Sequence, residues 1–414
     1  MIDLRPHIRP GDLVVITPGA GEPTALTEAL IAQRHDIGTF RVFTGSAYAS
    51  LFKPEHADVI TFVGLGAVGT NRALVQAGVM DILPIHYSEV PRTLSQGPLK
   101  ADVALVQLGR EISRRYSYGA AMGYMPSAVA AARTVIGEIN AAAPRTFGGP
   151  DFVADDLAAV FETDRALPAV AEGEPGLIEK AIAARAAAYI EDGAILQMGI
   201  GKIPVAVLAT LTDRRGLGLH TGVVGDGLVD LIEAGALTGD SHPMHPGRAV
   251  TGSLLGSERL YRFADNNRAL AMAPVTETHD HLVLASLPKL IAINSALEAD
   301  LTGQVSAEVA DGAYIGTVGG QVDFVRGAMA SPGGRSIIAF PSRTNRGVSR
   351  IVPAIASGIV TTGRAEADLI ITEHGAAELR GVGLAERTRR MIAIAHPDDR
   401  EGLERAARTV VAGT

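Results

Sequence analysis

The chain contains no cysteine and no tryptophan, and aromatic residues make up only 4% of its 414 residues. The absence of cysteine excludes a disulfide scaffold, a thiol nucleophile, thiolate-bound zinc and iron–sulfur clusters. The few aromatic side chains leave little material for stacking on nucleobases or sugars. Basic residues are not in excess either, because 37 Lys and Arg stand against 45 Asp and Glu, a formal net charge of −8. We therefore expect no nucleic-acid partner.

Long apolar runs are also lacking. No window of about eighteen residues is uninterrupted by polar residues, so the sequence predicts no membrane-spanning helix and no membrane partner. The first residues, MIDLRPHIRPGDLVV, carry charges and prolines where a signal peptide needs an apolar stretch. We therefore expect a cytoplasmic protein.

Apolar residues are plentiful but occur in short runs. They form 47% of the chain, which is enough for a large core. The length suggests two or three domains at about 150 residues each. The recurrent unit is a short Val/Ile/Leu run, a glycine-rich turn and an Ala/Leu-rich amphipathic stretch. Such alternation is typical of a parallel sheet covered on both faces, so the sequence predicts an α/β fold.

Two of these units resemble each other. LVVITPGAGEPTALTEAL (13–30) and AILQMGIGKIPVAVLATL (194–211) share an apolar strand, a G-x-G turn, a nearby proline and an apolar helix. They predict two similar open, mainly parallel-sheet domains. A polar, Pro/Gly-rich connector at 164–176 favours a boundary close by. We assign the domains to residues 1–180 and 181–414.

Two glycine clusters are candidate binding loops. Gly199-Ile200-Gly201 opens a predicted helix, whose free N–H groups favour an anion, although a tight packing turn is equally consistent with it. The cluster Gly316–Gly320 in GTVGGQVDF leaves main-chain N–H groups that can bind a developing oxyanion, and its alternative is a hairpin turn. Asn294 directly follows a predicted strand, where open α/β sheets bind ligands.

Longer stretches are similar to a known family. GIGKIPVAVLATL (199–211), LGLHTGVVGDGLVDLIEAGALTG (217–239), GGQVDFVRGA (319–328) and ITEHGAAELRG (371–381) resemble the acetyl-CoA hydrolase/transferase family of class I CoA-transferases. Within it, the resemblance is strongest to the 4-hydroxybutyrate and butyryl-CoA:acetate CoA-transferases. It implies two α/β domains with an acyl-CoA site between them.

The resemblance also implies ligands, partners and residue roles. Coenzyme A or acyl-CoA would be a substrate, with no permanently bound cofactor, a small carboxylic acid as the second partner, and a homodimer or higher oligomer. Gly319 and Gly320 would contribute to the oxyanion hole, and Asn294 would hydrogen-bond the acyl group. The residues implied to bind CoA are Gly199, Ile200, Gly201, Lys202, Ile203, Gly316, Val318, Arg335 and Arg346.

One position departs from the family pattern. Relatives read His-[Ser/Thr]-Glu, and that Glu is the covalent nucleophile that becomes a glutamyl-CoA thioester. This chain reads His220-Thr221-Gly222, so carboxylate catalysis cannot begin at this position. We expect the glycine to leave a void of the size of a Glu side chain. Five other acidic residues could in principle replace the missing nucleophile, but we expect none of them to do so because nucleophilic attack needs near-contact geometry. They are Glu89, Asp226, Asp230, Glu233 and Glu373.

Three functions remain open. The first is an acyl-CoA-processing enzyme of this family that acts on a carboxylic-acid CoA thioester without the usual glutamyl-CoA intermediate. The second is a hydrolase of a thioester, or a retro-Claisen hydrolase of a β-keto acyl-CoA, in which His220 or Glu89 activates water. The third is a non-catalytic acyl-CoA-binding protein.

An arginine-containing loop and two histidine clusters are further candidate binding sites. Arg110, Arg114 and Arg115 lie in a loop that departs from the family and either receives an anionic group or forms a solvated rim. The histidine clusters His242–His245 and His279–His281 have ligand-like spacing. Because a metal site also needs a third ligand and supporting hydrogen bonds, we predict no metal at either cluster.

Overall fold

Each half of the chain is built on one large β-sheet. The computed structural model describes residues 2–111, 113, 115–170 and 172–410, and Arg114 lies outside these described residues. In chain order the strands are β1 (Leu13–Ile16), β2 (Phe40–Thr44), β3 (Ile60–Gly64), β4 (Met80–Ile82), β5 (Val103–Leu108), β6 (Arg115–Tyr116), β7 (Thr134–Asn140), β8 (Phe152–Val153), β9 (Ala159–Thr163), β10 (Ile195–Met198), β11 (Gly218–Thr221), β12 (Ala249–Thr251), β13 (Leu270–Met272), β14 (Leu290–Asn294), β15 (Glu298–Asp300), β16 (Val305–Ser306), β17 (Val309–Ala310), β18 (Ala313–Tyr314), β19 (Arg335–Ala339), β20 (Ile351–Val352), β21 (Leu369–Thr372) and β22 (Gly375–Glu378).

Helices alternate with these strands. They are α1 (Thr24–Ile37), α2 (Asn71–Gln76), α3 (Val90–Ser95), α4 (Met125–Ala131), α5 (Leu177–Ala187), α6 (Lys202–Ala209), α7 (Gly227–Glu233), α8 (Glu258–Ala264), α9 (Val275–Thr278), α10 (His281–Ser286), α11 (Gln321–Ala330), α12 (Leu384–Ala393) and α13 (Pro397–Val410). Among the described residues, none of these helices combines the length and the apolar character that crossing a bilayer requires.

The two large sheets have the same strand order. The first runs β4-β3-β2-β1-β5-β7-β9 and is parallel throughout. The second runs β13-β12-β11-β10-β14-β19-β21-β22 and is parallel except for its last strand. In each sheet the first strand is central, three strands follow on one side, and the later strands return to the other side. The predicted α/β fold with two similar, mainly parallel sheets is confirmed.

The repeated sequence unit forms the centre of each sheet. β1 and β10 are fully buried strands of four residues, and each is followed by a glycine turn and a helix, as the sequence predicts. Gly19 has φ 68° and Gly201 has φ 115°, values that only glycine adopts without strain. Because the strand order reverses at β1 and at β10, each glycine turn lies at the position where open α/β sheets bind ligands.

The apolar core is continuous between the halves. One cluster of buried side chains includes Leu13 and Val106 from the first sheet and Leu196 and Leu219 from the second. Apolar area removed from water is the main stabilising contribution to a folded protein, at about 25 cal/mol per Å². A shared cluster therefore holds the two sheets together as one packed body.

Tyr124 fastens the loop after β2 to the central strand of the first sheet. Its ring is fully buried, and its hydroxyl accepts the Gly45 N–H at 3.0 Å and donates to the Ile16 carbonyl at 2.9 Å. Replacing it by phenylalanine leaves both buried main-chain groups without a partner. We predict that Tyr124→Phe lowers the free energy of unfolding by about 1–3 kcal/mol, visible as a lower thermal unfolding temperature.

Tyr189→Phe is the matched control. The Tyr189 hydroxyl contacts Glu378 at 3.2 Å in an exposed position, where water replaces the lost bond. We expect a change within about 0.5 kcal/mol. Equal shifts for the two variants would contradict the role given to Tyr124.

Candidate active site

A cavity of about 320 Å³ lies between the carboxyl ends of the strands of the two large sheets. From the first half it is lined by Pro18, Gly19, Gly45, Ser46, Tyr48, Leu65, Val68 and Tyr87. From the second half it is lined by Gln197, Gly199, Ile200, Thr221, Gly222, Val223, Ser253, Leu254, Leu255, His279, Asn294, Thr317, Gly319, Gly320, Gln321 and Phe324. The glycine turns after β1 and β10 both contribute to the lining, so the two central strands point at one shared space.

The second glycine cluster is docked on the first half of the chain. The Gly316 carbonyl accepts the Ala67 N–H at 2.9 Å, and the Gly319 carbonyl accepts the Tyr87 N–H at 2.9 Å. The hairpin weighed for this region exists just before it, as β17 and β18. The glycines themselves lead into α11, so residues 316–320 form a loop that ends at a helix start.

Gly319 and Gly320 of this loop line the cavity. Gly319 has φ 55° and Gly320 has φ −94° and ψ 5°, and α11 begins at the next residue. A left-handed residue followed by a right-handed one turns successive N–H groups toward a common concavity. The first N–H groups of a helix also lack intrahelical acceptors and carry its positive dipole end. The arrangement can therefore stabilise a negative oxygen that develops during a reaction.

The amide of Gly201 in the first glycine cluster already has an internal partner. It lies 3.4 Å from Oε1 of Glu172, a residue of the connector between the two sheets. Burial raises the pKa of the Glu172 carboxyl, while the Gly201 N–H acts in the opposite direction. Gly199 and Ile200 line the cavity, whereas Lys202 is exposed and Ile203 is buried beyond the wall.

The space expected beside Gly222 is filled by His279. This imidazole is 4% exposed and packs between the rings of Tyr87 and Phe324, at centroid distances of 4.9 and 4.5 Å. A Cβ atom added at Gly222 would lie 2.6 Å from its Cε1 and 3.0 Å from its Nε2, and one added at Gly320 would overlap the same ring. The expectation of a void is therefore wrong, because the ring needs glycine on both sides.

The hydrogen bonds of Thr278 orient the imidazole. The Thr278 hydroxyl donates to the Pro274 carbonyl at 3.2 Å and lies 2.8 Å from Nδ1 of His279. Because a hydroxyl has one hydrogen, we assign the proton of this second bond to Nδ1, with the threonine oxygen accepting. Nε2 then carries the free lone pair, at the end of the ring that lies between Gly222 and Gly320.

Burial keeps this imidazole neutral. Loss of solvation lowers the pKa of His279 to about 3, and the nearby His220 acts in the same direction. Among the described residues of the wall, the only other titratable side chains are Tyr48 and Tyr87. Burial raises the pKa of both phenols, so both stay protonated at neutral pH.

The structure does not bring His220 to the cavity wall. His220 is fully buried, and its Nδ1 lies 3.0 Å from Nε2 of His242. His242 accepts the main-chain N–H of His245, whose ring contacts Glu277 at 2.5 Å. Burial lowers the pKa of His220 to about 4 and that of His242 to about 3. These residues form an internal hydrogen-bonded chain, and His220 is not placed to activate a water in the cavity.

Within the described residues, no group of three or more His, Cys, Asp or Glu is arranged to hold a metal ion.

Glu89 does not reach the wall either, because its carboxylate is half exposed and pairs with Arg92 at 2.7 Å. The four other acids considered as replacements also have partners elsewhere. These pairs are Asp226 with Ser257, Asp230 and Glu233 with Arg259, and Glu373 with Ser342. The described part of the cavity wall contains no Asp, Glu, Lys or Arg.

Arg335 and Arg346, considered for CoA, and Arg110, considered for an anionic group, do not line this cavity. Arg335 pairs with Asp368 at 3.2 Å and with Glu378 at 3.5 Å. Arg346 is exposed in a turn, and Arg110 pairs with Asp265 at 2.5 Å. Gly316 and Val318 flank lining residues of the loop without lining the cavity themselves.

Asn294 lies where the strand pattern predicts it, at the carboxyl end of β14 and on the cavity wall. Its amide nitrogen donates to Oε1 of Gln197 at 3.1 Å, a neighbouring lining residue on β10. This bond leaves the Asn294 oxygen and the Gln197 nitrogen as an acceptor and a donor for a ligand. Sequence reasoning identified Asn294 but missed Gln197 and His279. The ligand-like spacing of His279–His281 was the available signal for the latter.

Comparison with known proteins agrees with this arrangement. Two models match the chain, the acetyl-CoA hydrolase/transferase N-terminal domain over residues 2–168 and the C-terminal domain over residues 256–407. A 4-hydroxybutyrate coenzyme A transferase of Clostridium kluyveri is 37% identical over 399 residues, covering 94% of this chain and 92% of that protein. A butyryl-CoA:acetate CoA-transferase of Anaerostipes caccae is 33% identical over 396 residues, covering 92% and 89%.

A solved structure shares the whole architecture. The crystal structure of RipA from Yersinia pestis superposes with a TM-score of 0.93 at 33% identity, covering 98% of this chain and 95% of that chain. Identity and coverage of this extent confirm the resemblance found in the sequence. The chain belongs to the acetyl-CoA hydrolase/transferase family.

Proposed function

We propose that this protein binds an acyl-CoA in the cavity between its sheets and hydrolyses the thioester with water, without a glutamyl-CoA intermediate. One observation carries the proposal: the cavity combines the amides of the 319–320 loop with a described wall that has no carboxylate. The amides suit the oxyanion of acyl transfer. A carboxylate nucleophile, in contrast, needs near-contact with the thioester carbon.

The family supports acyl-CoA as the ligand, and the cavity supports water as the nucleophile. Relatives of similar length bear the names of CoA-transferases, and proteins named acetyl-CoA hydrolase match about half of this chain. Transfer through an anhydride requires an enzyme carboxylate, which Gly222 does not supply. Hydrolysis requires only a water, a base and the amides, so it is the reaction that these residues favour.

The wall also favours a class of acyl group. Leu65, Val68, Leu254, Leu255 and Phe324 give it an apolar surface, and its described part carries no charged side chain. A free carboxylate on the acyl group, as in succinyl-CoA, would lose its hydration without gaining a partner, at a cost of several kcal/mol. The proposed substrates are therefore uncharged acyl thioesters.

Purified protein is expected to release free CoA from butyryl-CoA or hexanoyl-CoA in the absence of any acceptor acid. Its kcat/KM for succinyl-CoA should be at least about 100-fold lower, which corresponds to about 2.7 kcal/mol of lost transition-state stabilisation. Thiol release can be followed with a chromogenic thiol reagent, and the acids by mass spectrometry.

Three results would contradict the proposal. Turnover that begins only when an acceptor acid is added would indicate transfer. Thermal stabilisation by acyl-CoA without any turnover would indicate a binding protein. Release of a shorter acyl-CoA from a β-keto acyl-CoA, without free CoA, would indicate the retro-Claisen reaction.

A second prediction concerns Gly222, the position that the resemblance gives to the family nucleophile. Gly222→Glu alone should abolish hydrolysis and lower the unfolding temperature, because its Cβ would press on the His279 ring; overpacking of this kind costs about 1–3 kcal/mol. Gly222→Glu combined with His279→Ala removes the ring and should recover the lost stability.

The double variant should also accumulate a protein–CoA adduct when acyl-CoA is added, detected by intact mass and destroyed by borohydride. His279→Ala alone is the matched control and should form no adduct. A stable Gly222→Glu single variant that forms the adduct would show that the ring leaves room for a glutamate.

A further inference from the structure

We infer that His279 is the catalytic base of this cavity and that its Nε2 removes a proton from the attacking water. This inference rests on the proposed function and adds to it the group that performs the proton transfer. His279 was considered from the sequence only as part of a cluster with metal-like spacing.

The cavity offers few other bases. Its described wall has no carboxylate and no amine, and its other titratable side chains are two partly buried tyrosines, Tyr48 and Tyr87. A protonated phenol can donate a hydrogen bond but cannot take up a proton. The Thr221 hydroxyl donates to the Met198 carbonyl at 2.8 Å, so its hydrogen is already committed. The lone pair of the His279 imidazole is the remaining basic group on the described wall.

The imidazole is oriented as a catalytic base needs to be. Thr278 accepts from Nδ1 and thereby leaves the lone pair on Nε2, in the way that a third residue orients the base of hydrolytic enzymes. The rings of Tyr87 and Phe324 hold the imidazole from two sides. The side chain is therefore fixed before substrate binds, which lowers the entropic cost of reaching the reactive geometry.

Nε2 also lies beside the amides that would hold the oxyanion. A Cβ atom built on Gly320 would overlap Nε2 of His279, so the ring packs directly against this glycine. Gly320 immediately precedes α11. A thioester oxygen bound by the amides of this loop would bring its carbonyl carbon next to the imidazole. A water between Nε2 and that carbon would then be positioned for attack.

The step balances in atoms and electrons. Nε2 takes one proton from water while the water oxygen forms a bond to the carbonyl carbon, and the carbonyl electron pair moves to the oxygen held by the amides. The tetrahedral intermediate collapses, its C–S bond breaks, and the thiolate of CoA receives the proton from Nε2. The products are the free carboxylic acid and CoA, and the neutral imidazole is regenerated.

Burial keeps His279 in its neutral form, which is the form that can accept a proton. The low pKa of His279 means that the neutral, accepting form is present throughout the neutral range. It also means that the protonated ring gives up its proton readily to the leaving sulfur. The titratable groups that contact or influence the ring are Tyr87 and His220, and neither carries a charge at neutral pH.

The test compares His279→Gln with His281→Gln. Glutamine is close in size to histidine and keeps a polar end near the Nε2 position, but it cannot accept a proton. We expect His279→Gln to lower kcat for butyryl-CoA hydrolysis about 100-fold or more, the usual contribution of a general base, with little change in the affinity for acyl-CoA. His281 is exposed two residues along the same segment, and its variant should keep wild-type kcat.

The outcomes separate this inference from the proposed function. If the wild-type protein does not hydrolyse butyryl-CoA, whether or not it binds it, the proposed function fails. If the wild-type protein hydrolyses it and a folded His279→Gln variant retains kcat within about threefold, His279 is not the base and the proposed function stands. Circular dichroism and thermal unfolding establish that the variant is folded, and His279→Asn provides a second replacement that lacks an acceptor at the Nε2 position.

A measurement on the wild-type protein keeps the inference falsifiable if both variants unfold. Intact mass spectra recorded during turnover of butyryl-CoA should show only the unmodified protein, because the base never bonds to the acyl group. An acyl or CoA adduct, whether on His279 or on a carboxylate, would overturn the role of base. Hydrolysis in 18O-labelled water by excess enzyme should place one labelled oxygen in the first butyrate released, because water attacks the thioester carbon directly. Butyrate without the label would show that a protein group attacks first, and would overturn the role of His279 as the base.

Discussion

The cavity depends on the docking of one loop from the second half onto the first half. Residues 316–320 are held by main-chain hydrogen bonds from Ala67 and Tyr87, and the Thr317 hydroxyl donates to the Leu65 carbonyl at 2.6 Å. These contacts use two carbonyls and one hydroxyl of the loop, and they do not occupy the amides at the start of α11. Because main-chain atoms make most of the contacts, side chains around the cavity can change while the position of the loop stays fixed.

A ring at position 279 and a side chain at position 222 exclude each other. The His279 imidazole occupies the volume that a Cβ at Gly222 would enter, and Gly320 permits the same ring to approach from the other side. A family member with a carboxylate nucleophile at position 222 therefore needs a different arrangement near residue 279. The residues at positions 222 and 279 are thus constrained together, since the glycine is sterically matched to the histidine.

The sequence predicts the fold better than the site. The repeated strand, glycine turn and helix correctly identified β1 and β10 as equivalent strands, because local pattern and burial determine both. Asn294 and the glycines at 319–320 were also found, since strand ends and paired glycines are local signals. The position of His279 against Gly222 could not be read from the sequence, because it results from the packing of Tyr87 and Phe324 from distant segments. The partners of Glu89 and Arg335 were missed for the same reason, as ion pairs have no periodic signature.

The connector between the sheets does more than join them. Glu172 comes from this segment, and its carboxylate lies against the Gly201 amide at the start of α6. The covalent continuity of the chain thus brings a hydrogen-bond acceptor to the start of a helix in the second half. Splitting the gene at this segment into two separately encoded subunits would turn that intramolecular cap into an association between polypeptides, with a strength that depends on their concentration.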